Sequence, residues 1–233
     1  MYSAILTVVC GGLLAFAAQS LKPRQDANVE LERKQNILST VMEIKKGDDI
    51  NQIYADRVKE MVIDYQGNVQ EGVEASKIEI VKEYKKNPEE RLLPVYEIKN
   101  ETDPAKVDYA VLPVYGFGLW NDIWGFVALQ SDLSTIQGVK FQHKGETPGL
   151  GARIESEEVQ NRYKGKSIFD AGVLASVTMQ KGEGIDYSND PHKVDGMSGA
   201  TLTAKGVNNM FADYFACYQN YLKKNQQKQS ANL

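Results

Sequence analysis

The residues best suited by type and spacing to bind a ligand or to react lie in one short segment at the start of a predicted helix. The segment is Asp195-Gly196-Met197-Ser198-Gly199-Ala200-Thr201-Leu202-Thr203. Small residues let the backbone approach a bulky group closely, and this segment supplies Gly196, Ser198, Gly199 and Ala200. Main-chain N–H groups then converge at a helix N-terminus, where the helix dipole favours an anion such as a phosphate. The segment therefore indicates an anion site at the start of that helix.

Two other interpretations of this segment stay open on the residues alone. Ser and Thr are favoured at helix starts and Gly-rich turns are common, so an ordinary N-cap explains the pattern well. A nucleophilic Ser198 is a weaker alternative, because Gly-Met-Ser-Gly-Ala lacks the second glycine of a nucleophile elbow in the required place. The chain has no Walker A loop, and residues 149–154 fail the dinucleotide fingerprint at the sixth position. Nucleoside triphosphate chemistry is therefore not indicated.

Composition excludes several other classes of protein. The 233 residues are 42% hydrophobic and 25% charged, with a net charge of −4, which is typical of a globular protein and argues against nucleic acid as a ligand. Cys10 and Cys217 are the only cysteines, too few for a disulfide framework or an iron–sulfur cluster within one chain. His143 and His192 are far apart and follow no ligand pattern, so no metal site is predicted.

The N-terminal segment is a candidate membrane anchor. Residues 1–21 carry no charged side chain, and as a helix they would extend about 31 Å, close to the hydrocarbon thickness of a bilayer. A cleaved signal peptide is the alternative, because Ala15-Phe16-Ala17 resembles a cleavage site, but the segment has no basic n-region. Lys22 and Arg24 follow it and give a weak indication that the domain is cytoplasmic.

The order of predicted elements indicates an α+β domain. Apolar spacing predicts helices over residues 29–42 and from residue 50, where Ile53, Tyr54, Val58 and Met61 would share one face. Strands are predicted over residues 77–84, 95–99, 110–115, 123–129, 136–143 and 171–179. Residues 203–222 form the clearest predicted helix, with one apolar stripe that should pack on the sheet.

These elements predict four regions along the chain. Residues 1–21 form a transmembrane helix, 22–76 a helical part of the soluble domain, 77–224 a mixed or antiparallel sheet packed by helices, and 225–233 a flexible tail. A soluble part of this size is long enough to bury a substantial core.

The segment before the last helix also resembles a known motif. Asp195-x-x-Ser198-Gly199-Ala200-Thr201 is similar to the flavinylation motif of the FMN-binding domain family, which occurs in the NqrC protein of the sodium-pumping NADH:quinone reductase and in the RnfG protein of the related Rnf complex. In that family a flavin transferase moves FMN from FAD onto the threonine hydroxyl. The resemblance thus implies a covalent FMN phosphoryl ester on Thr201 and a role for Asp195 in recognition by the transferase.

Two further segments carry the resemblance. Glu146-Thr147-Pro148-Gly149-Leu150-Gly151 is similar to the family's stretch along the isoalloxazine ring. Gly118-Leu119-Trp120 resembles a segment of NqrC proteins rather than of their Rnf counterparts. The likeness spans essentially the whole chain, although the family usually has a short cytoplasmic segment before its hydrophobic helix and this sequence starts at the helix.

The resemblance implies a role for each matching residue. Leu119 and Leu150 would pack against the apolar face of the ring, and Trp120 would stack on it or bound the pocket. Glu146 and Thr147 would offer hydrogen bonds to the pyrimidine edge. Backbone N–H groups of residues 198–203, including Ser198, Gly199 and Ala200, would bind the phosphate oxygens. Lys181 or Lys205 would add a counter-charge, with a solvated surface charge as the plainer interpretation of either lysine.

The implied function is a one-electron relay by a covalently bound FMN in a Na+-pumping NADH:ubiquinone reductase, a translocase of the inner membrane. Its partners would be the other subunits of that complex and the maturing flavin transferase, with the soluble domain on the periplasmic side. That side is implied by the resemblance and overrides the weak charge signal. The alternatives are an Rnf-type component of a ferredoxin:NAD oxidoreductase and a membrane-anchored scaffold without redox function. No independent catalysis is expected from the isolated chain.

Overall fold

A five-stranded antiparallel sheet with helices on both faces forms the centre of the computed structural model, which describes residues 1–231. The strands are β1 (Val58–Ile63), β2 (Leu93–Lys99), β3 (Val107–Phe117), β4 (Asp122–Gln130) and β5 (Ile136–His143). They pair in chain order, so every connection joins neighbouring strands. Four of the predicted strands are confirmed, and the one over residues 136–143 has the predicted bounds.

The N-terminal helix α1 (Tyr2–Ser39) extends the apolar segment into the domain. By length and composition it could cross a membrane, and its most apolar window is not buried against the rest of the chain. Its last turns pack on the sheet, where Ile37 and Leu38 are fully buried. Arg33 Nη1 donates to Tyr96 Oη of β2 at 2.9 Å. The predicted helix over residues 29–42 is therefore the end of this longer helix.

The opposite face of the sheet is covered by α5 (Thr201–Ala231). Its apolar stripe is buried as predicted, and it contributes to the larger of two core clusters through Val207, Met210, Phe211, Tyr214, Phe215, Tyr218 and Leu222. A side chain at Gly206 would collide with the backbone carbonyl of Phe117, so glycine lets α5 lie directly on the end of β3. This close approach brings the start of α5 next to the β3–β4 turn.

Short elements complete the fold. The remaining helices are α2 (Ile50–Arg57), α3 (Ile80–Tyr84) and α4 (Glu157–Asn161), with 3-10 turns at Ala75–Lys77, Pro88–Glu90 and Gly151–Glu155. Two small sheets follow α4, antiparallel β6 (Phe169–Asp170) with β7 (Val173–Leu174), and parallel β8 (Thr178–Met179) with β9 (Lys193–Val194). They hold the loops between α4 and α5 against the core.

Two predicted elements were wrong. Residues 77–84 form a turn and α3 instead of a strand, because Ile80 and Tyr84, one helical turn apart, both pack against the core. The helix predicted from residue 50 ends at Arg57, and Val58 begins β1, which pairs with β2. The region 22–76 is thus not all helical, and a boundary at residue 77 would separate β1 from its sheet.

Two further predictions need correction. The strand predicted over residues 171–179 is broken into two short pieces, because Ala171, Gly172 and Ser176 have positive φ values of 45°, 80° and 61°. The last helix, predicted to end at residue 222, continues to Ala231, so residues 225–231 of the predicted tail belong to α5. The final two residues of that tail, 232–233, lie outside the described part of the chain.

Candidate functional site

Three segments meet around a cavity of about 200 Å³ at the start of α5, which we term the threonine cavity. They are the β3–β4 turn, the loop after β5 and the first turn of α5 with the residues before it. The cavity is lined by Leu119, Glu146, Thr147, Leu150, Gly151, Gly199, Ala200, Thr201, Leu202 and Thr203. The structure therefore brings seven of the predicted site residues together, namely Leu119, Glu146, Thr147, Leu150, Gly199, Ala200 and Thr201.

The two threonines at the start of α5 differ in their accessibility. Thr201 is exposed, and its hydroxyl has no hydrogen-bond partner among residues 1–231. Thr203 is 1% exposed, and its Oγ1 donates to Glu146 Oε2 at 2.5 Å. Of these two threonines, only Thr201 presents a free hydroxyl to a group that enters the cavity.

The backbone around Thr201 has the properties of an anion site. An α-helix leaves its first N–H groups without an intrahelical acceptor, and the positive end of the helix dipole lies there. Within the described chain, the N–H groups of residues 201–203 have no acceptor, whereas Ala200 N donates to Met197 O at 3.1 Å. Ser198 N donates to Glu183 Oε2 at 2.9 Å, so the prediction that it is available to a phosphate is corrected. Among residues 198–203, the N–H groups that lack an acceptor in the described part of the chain are therefore those of Gly199 and residues 201–203.

Gly199 shapes the wall beside this anion site. Its φ of +75° is a left-handed conformation that side chains disfavour. A Cβ added there would also lie 2.8 Å from Leu150 Cδ2. Glycine at this position therefore permits both the turn into α5 and the close packing of Leu150 over it.

Glu146 is the buried polar centre of the cavity. It is 3% exposed, and its Oε1 accepts from Trp120 N at 2.9 Å while Oε2 accepts from Thr203. A Cβ on Gly118 would lie 2.5 Å from Oε1, and one on Gly151 would collide with Oε2. Both carboxylate oxygens are thus engaged by protein groups, and Glu146 ties the β3–β4 turn to the start of α5.

Apolar side chains surround the mouth of the cavity. Leu119, Leu150 and Leu202 are 45%, 41% and 57% exposed. Trp120 is 68% exposed and does not line the cavity, but its Nε1 donates to Thr147 Oγ1 at 3.2 Å and so borders it. Such a rim suits a flat apolar ligand that stays partly in contact with solvent.

A group of charged residues that the sequence interpretation missed lies behind the anion site. Glu183 accepts from two guanidinium groups, Arg153 Nη1 at 3.0 Å and Arg162 Nη2 at 3.1 Å, as well as from Ser198 N. The Arg153 hydrogen bond, followed by those from Ser198 N–H and Arg162, lowers the pKa of Glu183 to about 2. No local sequence pattern predicts this group, because Arg153, Arg162 and Glu183 lie in separate segments of the chain.

Two further predicted residues lie away from the cavity. Asp195 is largely covered, and its carboxylate accepts from the N–H groups of Gly184 at 2.7 Å, Ile185 at 3.1 Å and Gly196 at 3.0 Å. It therefore orders the loop that leads to Thr201. Lys181 is exposed in the loop between β8 and β9 and does not line the cavity. The structure accordingly does not place its charge beside Thr201.

A second, larger cavity of about 730 Å³ has Asp195 in its lining, and we term it the loop cavity. It is lined by α4, the loop after α4 and the segment from the β8–β9 loop to Asp195, with Arg162, Lys166 and Tyr187 among its residues. It contains none of the threonine, leucine or glycine residues around Thr201. We base the functional assignment on the smaller cavity, because the free hydroxyl and the free N–H groups converge there.

Comparisons with known proteins bear on this site. Residues 118–216 match the family described as FMN-binding domain, a stretch that contains every residue of the threonine cavity. The NqrC protein of the Na(+)-translocating NADH-quinone reductase from Haemophilus ducreyi is 34% identical over 226 residues, which cover 91% of this chain and 86% of the relative. Its counterpart from Pasteurella multocida is 33% identical and covers 89% of this chain and 85% of the relative. The chain belongs to the NqrC family.

Solved structures of this family have the same fold. The NqrC protein from Parabacteroides distasonis has a TM-score of 0.75 at 31% identity, covering 87% of this chain and 96% of that one. The one from Shewanella oneidensis has a TM-score of 0.73 at 27% identity, covering 84% of this chain and 97% of that one. The predicted family and the predicted α+β class, with an apolar N-terminal helix before an antiparallel sheet, are therefore confirmed.

Proposed function

We propose that this NqrC-family chain carries one FMN, bonded through its phosphate to the Thr201 hydroxyl, and uses it as a one-electron relay in a Na+-translocating NADH:quinone reductase. The observation that carries the proposal is the pairing of a free hydroxyl with free N–H groups. Thr201 has the one unengaged hydroxyl of the two helix-start threonines in the cavity, and the N–H groups of residues 201–203 are positioned to neutralise a phosphoryl group attached to it.

The dimensions of the cavity fit a tethered flavin. Sites that hold a small molecule without a covalent bond usually enclose about 300–1,000 Å³ and bury most of the ligand. The threonine cavity encloses about 200 Å³, so it can contain only a part of a flavin and leaves the rest exposed to solvent. A covalent bond removes dissociation, and the protein then has only to orient the ring. An exposed ring edge also suits exchange of electrons with a partner.

Each part of the chain then has a defined task. The bound FMN supplies the one-electron chemistry. Leu119 and Leu150 would offer apolar contacts to its ring, and the free N–H groups in the first turn of α5 would hydrogen-bond its phosphate. Trp120 and Thr147 border the mouth of the cavity. No side chain is required as a general base, because the reaction moves electrons rather than protons of a substrate.

Membrane attachment and maturation complete the proposal. α1 anchors the chain in the inner membrane with the soluble domain on the periplasmic side, where the other subunits of the complex meet it. A flavin transferase attaches the FMN, and Asp195 contributes by ordering the loop before Thr201 through its three backbone hydrogen bonds.

Intact-mass measurement of protein made beside an active flavin transferase tests the attachment. The native chain should gain the mass of FMN less one water, and should stay yellow and fluorescent after acid denaturation. Thr201→Ala should abolish the gain, and Thr201→Ser should keep it because a hydroxyl remains. Thr203→Val, the matched control, should retain the gain. An unmodified native chain, or a modified Thr201→Ala chain, would contradict the proposal.

A further inference from the structure

The buried carboxylate of Glu146 is unusual because no basic side chain accompanies it. Among the described residues, its hydrogen-bond partners are a backbone N–H and a threonine hydroxyl, and no ion pair reaches it. A charge in such a place is costly unless neighbouring dipoles compensate it. Both of its oxygens accept hydrogen bonds, Oε1 from Trp120 N and Oε2 from the Thr203 hydroxyl.

The surroundings of Glu146 fix this charge in position. Trp120 N holds Oε1 from the β3–β4 turn, and Thr203 holds Oε2 from the first turn of α5, whose dipole also favours a negative charge. Gly118 and Gly151 close around the carboxylate without room for a side chain of their own. Rotation of the Glu146 side chain away from these groups would leave the buried Thr203 hydroxyl without a hydrogen-bond partner. A buried hydroxyl without a partner costs free energy, because it has lost its hydrogen bonds to water.

The position matters because Glu146 also lines the threonine cavity with Thr201. We propose that Glu146 tunes the reduction potential of the flavin by placing a fixed negative charge at the wall of the cavity that receives the ring. This inference rests on the proposed function. An electron that arrives on the ring makes it more negative, so a nearby carboxylate opposes reduction and lowers the potential. Thr203 acts as a positioning residue, since it holds the carboxylate and partly neutralises it.

Potentiometric titration of the flavinylated protein with dithionite and mediator dyes, without oxygen, tests the tuning. Glu146→Gln keeps the shape of the side chain and removes its charge, so the potential should shift to a more positive value. Glu157→Gln is the matched control, because it removes an exposed charge outside the cavity, on α4. Its effect should be small and should disappear at high salt, whereas the shift from the buried Glu146 should persist.

Attachment and folding are followed separately by intact mass and thermal unfolding. A Glu146→Gln protein that retains the FMN mass gain and an unchanged potential would overturn the proposal. A folded Glu146→Gln protein without that mass gain would also overturn it, since the residue would then act on attachment. Absence of the gain in the native chain would instead overturn the proposed function itself.

A second pair of variants decides the question if Glu146→Gln does not fold. Thr203→Val removes the hydroxyl that partly neutralises Oε2, so the potential should shift to a more negative value. Thr203→Ser retains the hydroxyl and should restore the native potential. Equal potentials in the two variants would show that the hydrogen bond to Glu146 has no influence on the flavin, and would overturn the proposal.

Discussion

The threonine cavity and the loop cavity share no lining residue and differ in the elements that build them. The loop cavity is the larger, at about 730 Å³ against about 200 Å³, and charged side chains and loop residues supply most of its lining. The threonine cavity is built from the first turn of a long helix, closely packed glycines and one buried carboxylate. Its geometry is therefore fixed by the core, whereas that of the loop cavity depends on loop contacts.

This difference shows that size alone is a poor guide to function. In the loop cavity the buried cation Lys166 already donates to the carbonyls of Tyr187 and Asp190, so its charge serves to hold the loop. In the threonine cavity one hydroxyl and the helix N-terminus remain without partners among residues 1–231. Groups left free in a rigid frame indicate a ligand more strongly than a larger space does.

The largest expected effect comes from Gly199→Ala, which tests the rigid wall. The new methyl group would lie 2.8 Å from Leu150 Cδ2 in a residue with φ +75°, so the cavity should narrow and FMN attachment should fall. We expect a loss of about tenfold or more in the attachment rate, equivalent to about 1.4 kcal/mol. Time-resolved intact mass in the presence of the transferase measures it.

Gly72→Ala is the matched control for that change. Gly72 has a φ of +76° and no atom within 4 Å of an added Cβ, so the substitution has the same kind of backbone strain without the collision. Both variants should lose about 1 kcal/mol of stability from strain. Equal attachment rates in the two variants would show that the wall formed by Leu150 is not needed.

The next effect concerns Arg162, which lines the loop cavity. It donates to the backbone carbonyls of Asp195 and Gly196 as well as to Glu183. A lysine ammonium group cannot reproduce the hydrogen bonds that the planar guanidinium makes to several acceptors at once. Arg162→Lys should therefore lower the free energy of unfolding by about 1.5–3 kcal/mol. Arg153→Lys should cost less, because Arg153 bonds only carboxylates. Urea unfolding compares the two, and equal losses would contradict the bridging role of Arg162.

A smaller effect is expected from Lys166→Met in the loop cavity. The substitution removes the hydrogen bonds to the carbonyls of Tyr187 and Asp190 but keeps much of the apolar stem. The free energy of unfolding should fall by about 1 kcal/mol, and the FMN mass gain should be unchanged. A loss of attachment in this variant would mean that the loop cavity takes part in maturation, and the contrast drawn between the two cavities would fail.

The smallest effect is a pH dependence from Glu183. Its pKa in the folded protein is lowered to about 2, first by the Arg153 hydrogen bond. A lowered pKa in the folded state stabilises the fold at pH above the ordinary carboxyl value, and this contribution is lost as pH falls toward about 2. The native chain should therefore be more stable than Glu183→Gln near neutrality, and thermal unfolding should show the two converging in acid. A difference that does not change with pH would contradict the ionic role.

Much of the sheet and of the last helix could be predicted from the sequence. Strands β2 to β5 are apolar runs bounded by turn residues, and the stripe on α5 repeats with the helical period, so local pattern and tertiary structure agree. The strand predicted over residues 77–84 was wrong because the alternating pattern of this segment also fits one short helix. Packing of Tyr84 against Tyr115 and Phe117 selects that helix.

The sequence by itself determined the family, the apolar N-terminal helix and the position of Thr201 at a helix start, because each depends on residues close together in the chain. Only the tertiary structure decided which hydroxyl is free. Thr201 and Thr203 are two residues apart and chemically alike, and they differ because Glu146, distant in sequence, engages one of them. The same is true of Glu183, whose partners Arg153 and Arg162 come from other loops. Contacts of this kind leave no periodic trace in a sequence, because packing rather than local conformation brings the groups together.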